Sequence, residues 1–256
     1  MDGRVMERQT MDAENVLTFQ PEYRGGEAMR YHAVIDEICA MPWDRLSNDE
    51  ILQVAKVYYY FSIQFRENLE IACRLRPGDP KLATLCLGEC ATDNLSPWPN
   101  VAAPGEKLDH DEFMRRFLAL QPVRDGDFLE ALGVSYLNRV RAIDDHARAC
   151  SIASYEDGGL SRVFSSMLRA QHWQGEGHRA FRYFLEQHIL FDNDDEAGHG
   201  SLSRHLVPDD SILPLWSAFA AMLVLAVPRL SQSTANHVAE AQDCPSPMWP
   251  ARVVSA

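Results

Sequence analysis

From about Glu27 to Ala241 apolar residues recur at three- and four-residue intervals, and no stretch alternates apolar and polar residues as a half-buried strand would. The pattern predicts an all-α domain of about seven or eight helices. The first runs from Gly26 to about Ala40, with Tyr31, Val34, Ile35 and Ile38 on its apolar side. Ser47, followed three residues later by Glu50, is a capping-box signature and opens a long second helix through Leu75. A third helix is expected over Lys81 to Asn94, then a loop from Leu95 to Leu108 with three prolines and Gly105. The loop is too long for a plain helix connection. A fourth helix begins at Asp109 or His110, where Asp109 or a neighbour can cap; a fifth spans Asp127 to Ala147 and a sixth begins near Arg148. Inside that sixth pattern stand Gly158 and Gly159, which disfavour regular helix by roughly 1 kcal/mol each relative to alanine and predict a kink or bulge. Phe181 to Leu206 forms a seventh segment, and Ile212 to Leu230 an eighth.

Polar groups interrupt the apolar faces at particular places. Glu89 lies among Leu82, Leu85 and Leu87, where a buried carboxylate needs a partner or a metal. Glu156 immediately precedes the two glycines. Phe181 to Leu206 concentrates His188, Asp192, Asp194, Asp195, Glu196 and His199 after an aromatic run. At about 100° per residue, Asp192, Asp195 and His199 share a stripe with His188. A straight helix would nevertheless separate His188 from His199 by about 16 Å along its axis, too far for one site whose metals lie about 3.5–4 Å apart. Either one histidine is not a ligand, or the helix breaks between Asp192 and Gly198. The turn-forming residues Asn193, Asp194, Asp195 and Gly198 favour the break. An acidic helix end with two solvated histidines is the bland alternative.

Composition narrows the function. The chain has 256 residues, 46% of them hydrophobic, which suffices for one sizeable core. A formal charge of −13 without a basic stripe argues against nucleic-acid partners. The six cysteines show no paired metal-knuckle spacing and read as small core residues in a reduced, cytoplasmic protein. Ile212 to Leu230 approaches the length of a membrane span, but Ser217, Pro214, Pro228 and the lack of a flanking basic cluster predict a bundle helix and no membrane. Residues 1–25 read as a flexible leader, 26–241 as the helical domain and 242–256 as a flexible tail.

In chain order the candidate ligands are Glu89, His110, Glu156, His188, Asp192 and His199, three acids and three imidazoles. Carboxylate with imidazole suits iron, manganese or zinc. Shared between two irons, the set supplies about three ligands each and leaves positions for dioxygen and substrate, as helical bundles commonly arrange.

At these residues the chain resembles the haem-oxygenase-like di-iron oxidases and oxygenases, whose pattern is a Glu, a His, a later Glu and a final helix with His-x-x-x-Asp and a further His, often followed by Gly. Here these are Glu89, His110, Glu156, then His188-Ile189-Leu190-Phe191-Asp192 and His199-Gly200, with 32 residues between Glu156 and His188. The intervals from Glu89 to His110 and from Asp192 to His199 are both longer than the family's, and Asp195 is the substitute if Asp192 is not the ligand. The resemblance implies a haem-oxygenase-like helical bundle, two ferrous ions per chain and dioxygen as co-substrate, with Glu89, Glu156 and His188 at the catalytic centre. It also implies oxidation of a small amine or amino-acid-derived substrate in specialised biosynthesis, by N-oxygenation, nitrile or nitro formation or carbon–carbon cleavage. An external electron donor and a homodimer fit the same picture, and Arg162 and Arg169 are candidates to pair with a substrate carboxylate. Two alternatives stand beside it. One is a metal-free hydrolase or oxidase on the same architecture, for which Cys90 or Cys150 would be the nucleophile. The other is a non-catalytic helical interaction protein.

Overall fold

A computed structural model describes residues 29–192 and 198–231, the side chain of Asp192 excepted. The leader over 1–25 and the tail over 242–256 lie outside these residues. The described chain is all-α, with ten α-helices: α1 (Arg30–Ala40), α2 (Asn48–Leu75), α3 (Pro80–Glu89), α4 (His110–Leu118), α5 (Gly126–Arg141), α6 (Asp145–Ser154), α7 (Leu160–Met167), α8 (Glu176–Asp192), α9 (His199–Ser203) and α10 (Leu213–Ala226). The count exceeds eight because two expected helices are each divided. A π-helical turn at Tyr155–Gly159 separates α6 from α7, and the Phe181 to Leu206 segment becomes α8 and α9.

Helix α2 is the axis of the bundle and packs against α3, α4, α5, α6, α8 and α10. Its capping box forms as expected: Ser47 Oγ accepts from Glu50 N, and Glu50 Oε2 accepts from Ser47 N. Buried residues surround its middle, because neighbours cover it on several sides. Tyr58 and Phe61 meet Phe219 of α10, and Tyr58 also meets Phe164, Phe181 and Phe184, with ring centroids 4.4–6.1 Å apart. Tilted and edge-on rings of this kind fill space at favourable quadrupole geometry.

Three boundaries differ from expectation. Helix α3 stops at Glu89 rather than Asn94, because Ala91 takes a left-handed φ of 47° and Asn94 turns its Nδ2 back to donate to Gly88 O at 2.8 Å. The expected helix through Ala147 ends at Arg141. Asp144 then caps α6, its carboxylate accepting from His146 N and Ala147 N. Asp109 does occupy the N-cap position of α4, but its carboxylate accepts from Ala91 N at 2.8 Å instead of capping the helix.

That bond belongs to a set that closes the 90–109 loop on itself. Thr92 and Leu108 exchange backbone hydrogen bonds of 3.0 and 2.9 Å, Trp98 and Ala102 form a second isolated bridge, and Arg116 holds Val101 O and Glu106 from α4. The loop leaves and returns at nearly one point. Its extra length therefore does not separate the end of α3 from the start of α4.

Among the described residues no single helix is long and apolar enough to cross a membrane. Residues 199–206 and 210–226 reach such a length only as a pair bent by 108°. Helix α10 buries Leu215, Trp216, Phe219, Met222 and Leu223, the covered bundle helix expected from its prolines.

Candidate metal centre

Five of the six candidate ligands converge, each delivered by a different device. Glu89 is the last residue of α3, one turn beyond the buried Leu85, and is 4% exposed. The closed loop sets His110, first residue of α4, beside it. Glu156 sits in the π turn, where Asp157 (φ −84°, ψ 56°) and Gly158 (φ 87°) leave helical geometry. A Cβ at Gly159 would lie 2.0 Å from Ser154 O, so the tight turn requires glycine there. His188 lies one turn after the buried Phe184 on α8.

His199 opens α9, whose N-cap Gly198 is extended (φ −69°, ψ 159°), so α8 does not run on unbroken into α9. The close approaches around it depend on missing side chains: a Cβ at Gly88 would meet His199 Nε2 at 3.0 Å, and one at Gly200 would meet Glu156 O at 3.1 Å. Asp192 closes α8. Its side chain and the alternative Asp195, with the neighbouring Asp194 and Glu196, lie outside the described part of the chain.

The donor atoms form two groups that share one residue. Glu89 with His110 and His188 is the first, and Glu89 with Glu156 and His199 is the second. In the first, Glu89 Oε2 lies 2.7 Å from His110 Nδ1, which is 3.0 Å from His188 Nε2. In the second, His199 Nδ1 lies 3.0 Å from both Glu89 Oε1 and Glu156 Oε2. Each oxygen of Glu89 thus faces a different group, the disposition of a bridging carboxylate.

Hydrogen bonding outside the cluster settles which ring nitrogens carry protons. Phe184 O can only accept, so His188 donates to it through Nδ1 at 2.7 Å, leaving a lone pair on Nε2. Asn94 is oriented by its donation to Gly88 O, so its Oδ1 faces His110 Nε2 at 3.0 Å and makes that nitrogen the donor. In the neutral rings His110 Nδ1 and His188 Nε2 therefore point lone pairs at each other and at a carboxylate. Glu89 Oε1 and Glu156 Oε2 are buried and accept no hydrogen bond of normal geometry. Converging acceptors are unfavourable unless a proton or a cation lies among them. Metal bonds of about 2.0–2.2 Å place neighbouring ligand atoms about 3 Å apart, the spacing seen here. The donor set fits a pair of borderline metal ions.

No family profile, curated protein or solved structure matches this chain.

The same contacts set the electrostatics of the cluster. Burial pushes the His188 imidazole down to about 3, helped by the neighbouring His110, so it is neutral at any ordinary pH. Burial also opposes charge on the two acids. At Glu89 the His110 and His199 imidazoles outweigh it and hold the carboxyl well below its usual range; at Glu156 burial wins and raises it. At His199 burial is overcome by Glu156 and Glu89, which raise the imidazole to about 11.

A cavity opens onto the cluster between α2, α4 and α7. Tyr58, Ser62, Phe65, Arg66, Asp111, Leu160 and Phe184 line it together with Glu89, His110, Glu156 and His188. Arg162 and Arg169 lie elsewhere: Arg162 pairs with Asp36, and Arg169 donates to Cys39 O and Met41 O, so neither meets a substrate here. The arginine at the cavity is Arg66, which forks onto Asp111 and also pairs with Glu70. An i,i+4 Arg–Glu pair is commonplace on an exposed helix face, so Arg66 carries no distinguishing sequence signal. Asn94 carries no sequence signal at all. Neither Cys90 nor Cys150 lines the cavity, and burial raises both thiols, which disfavours the thiolate a hydrolase would need.

Proposed function

We propose that this chain is a non-haem di-iron enzyme that uses dioxygen to oxidise a small amine or amino-acid-derived substrate, on the haem-oxygenase-like architecture its ligand pattern resembles. The observation that carries the reading is Glu89, one carboxylate facing two separate ligand groups, each completed by imidazole. Glu89, His110 and His188 would hold one iron, and Glu89, Glu156 and His199 the other. When bound, the iron pair supplies electrons and open positions for dioxygen.

The chain's own groups do the rest. Phe184 O and Asn94 Oδ1 fix the tautomers of His188 and His110, so that lone pairs and not N–H bonds face the centre. Phe65, Leu160 and Phe184 keep the cavity wall apolar and limit water beside the ligands. Arg66, held by Asp111, places a fixed positive charge at the cavity where a substrate carboxylate is able to exchange with the aspartate.

The decisive experiment is elemental analysis after anaerobic loading with ferrous ion. Two irons per chain are expected in the native protein, and His188→Ala should lose most of one and all oxygen consumption. Full iron content and turnover in that variant would end the assignment.

A further inference from the structure

The carboxylate of Glu156 is aimed from a stretch of backbone that cannot aim it alone. The π turn is closed by Leu160 N donating to Tyr155 O, and Asp157 and Gly158, directly after Glu156, depart from helical φ/ψ. Regular helix therefore holds Glu156 from the α6 side alone, and side-chain anchors on its neighbours complete the hold.

Three anchors hold this turn. Asp157 Oδ1 accepts from Arg204 Nε at 2.8 Å, but both side chains are at least 40% exposed and an exposed pair contributes little. Ser154 Oγ accepts from Trp216 Nε1 of α10 at 3.0 Å and holds the residue before the turn. The third is Tyr155 itself, fully buried between Phe61 and Trp216, ring centroids 5.1 and 5.0 Å away. Its phenol oxygen accepts from Gln64 Nε2 of α2 at 2.9 Å, and Gln64 Oε1 in turn accepts from the Tyr136 hydroxyl of α5. Gln64 is completely buried, so both ends of its amide are committed and its orientation is unique. None of Gln64, Tyr136 and Tyr155 lines the cavity.

We propose that Tyr155 is a positioning residue: through the Gln64–Tyr136 amide bridge it locks the π turn to α2 and α5, and so directs the Glu156 carboxylate at Glu89 and His199. The consequence for metal affinity rests on the di-iron reading; the consequence for the geometry of Glu156 does not. Removing only the phenol oxygen loosens the link of the turn to α2 and α5, and Glu156 alone among the candidate ligands moves with it.

The test begins with Tyr155→Phe. A crystal structure of the metal-free variant should show the Glu156 carboxylate displaced by more than 1 Å relative to Glu89, several times the ~0.2 Å tolerance that ligation allows; superimposable carboxylates would overturn the proposal. Cobalt(II) titration followed by its visible absorption should show one of two sites weakened about 10- to 100-fold, the scale typical of an outer partner, with the other within about twofold. His188→Ala identifies which step belongs to which site. Unchanged binding at both sites would also overturn it. Should the native protein take up no cobalt, the di-iron reading falls and the crystal structure alone decides the positioning role. A triple variant, Tyr155→Phe with Gln64→Leu and Tyr136→Phe, leaves no buried polar atom unpaired within the bridge. Recovery of melting temperature without recovery of the weakened site supports positioning, whereas recovery of both would reduce Tyr155 to a structural residue and end the proposal.

Discussion

Glu89 carries more of the site than any other residue, since each of its oxygens faces a different imidazole. Glu89→Gln exchanges one acceptor for an amide NH₂ and removes a charge. It should therefore weaken both metal sites, whereas His188→Ala weakens one; calorimetric titration with manganese(II) separates the two results. Asn94→Leu removes no candidate ligand but frees the His110 ring to turn or change tautomer and releases Gly88 O beside Glu89, so affinity at that site should fall about 10- to 100-fold. A loss as large as that of Glu89→Gln would mean Asn94 does more than orient a ring. The two residues also show what was legible from sequence. Glu89 and His188 announce themselves as ionisable groups on faces that periodicity marks as apolar, whereas His110 and Glu156 stand out only through the resemblance. Asn94 and Arg66 do not, because an asparagine in a loop and an arginine paired along a helix are ordinary wherever they occur, and only the fold gives them a role.

At the level of elements, features encoded within a few residues were readable and those set by distant partners were not. The Ser47–Glu50 box and the irregularity at Gly158–Gly159 are local and are present as expected. Helix rise leaves either one histidine outside the site or a break between His188 and His199, the turn-forming residues favour the break, and the extended Gly198 starts a new helix there. The early end of α3 comes instead from the left-handed Ala91 and the Asn94 bond to Gly88 O, and the loop beyond it is closed by backbone pairing between Thr92 and Leu108, which any side chain permits. The same pairing explains why a long Glu89 to His110 interval still yields adjacent ligands. Gly159→Ala tests the tightest of these elements. A methyl group 2.0 Å from Ser154 O forces the π turn open, so the variant should lose about 1–3 kcal/mol of stability in urea titration, typical of overpacking, together with the Glu156 metal site. Wild-type stability and two intact sites would show that the turn has slack.

For the whole molecule, two conditions should move stability in separable ways. The first is acid. Glu67 of α2 is half-buried, and although burial opposes its charge, Arg141 and Arg148 hold its carboxyl below the usual range. A depressed carboxylate contributes stability above its unfolded value, about 4.3, and loses it as pH falls through the folded value. The melting-temperature gap between native protein and Glu67→Gln should accordingly be open at pH 7 and close on acidification below about 4; a gap independent of pH would assign the effect to packing.

The second condition is metal. Two acids and three imidazoles share one buried cluster, a combination whose carboxylates need protons or cations among them. An ion that binds only the folded chain stabilises it by about 2.7 kcal/mol at a hundredfold excess over its dissociation constant. For a domain of this size that corresponds to a rise of about 5–10 °C per occupied site. Ferrous or manganese ion should therefore raise the melting temperature of the native protein in two concentration-dependent stages, of His188→Ala in one, and of Glu89→Gln in neither. Equal shifts in all three proteins would place the bound ions elsewhere on this acidic chain, and the buried cluster would then be balanced by protons alone.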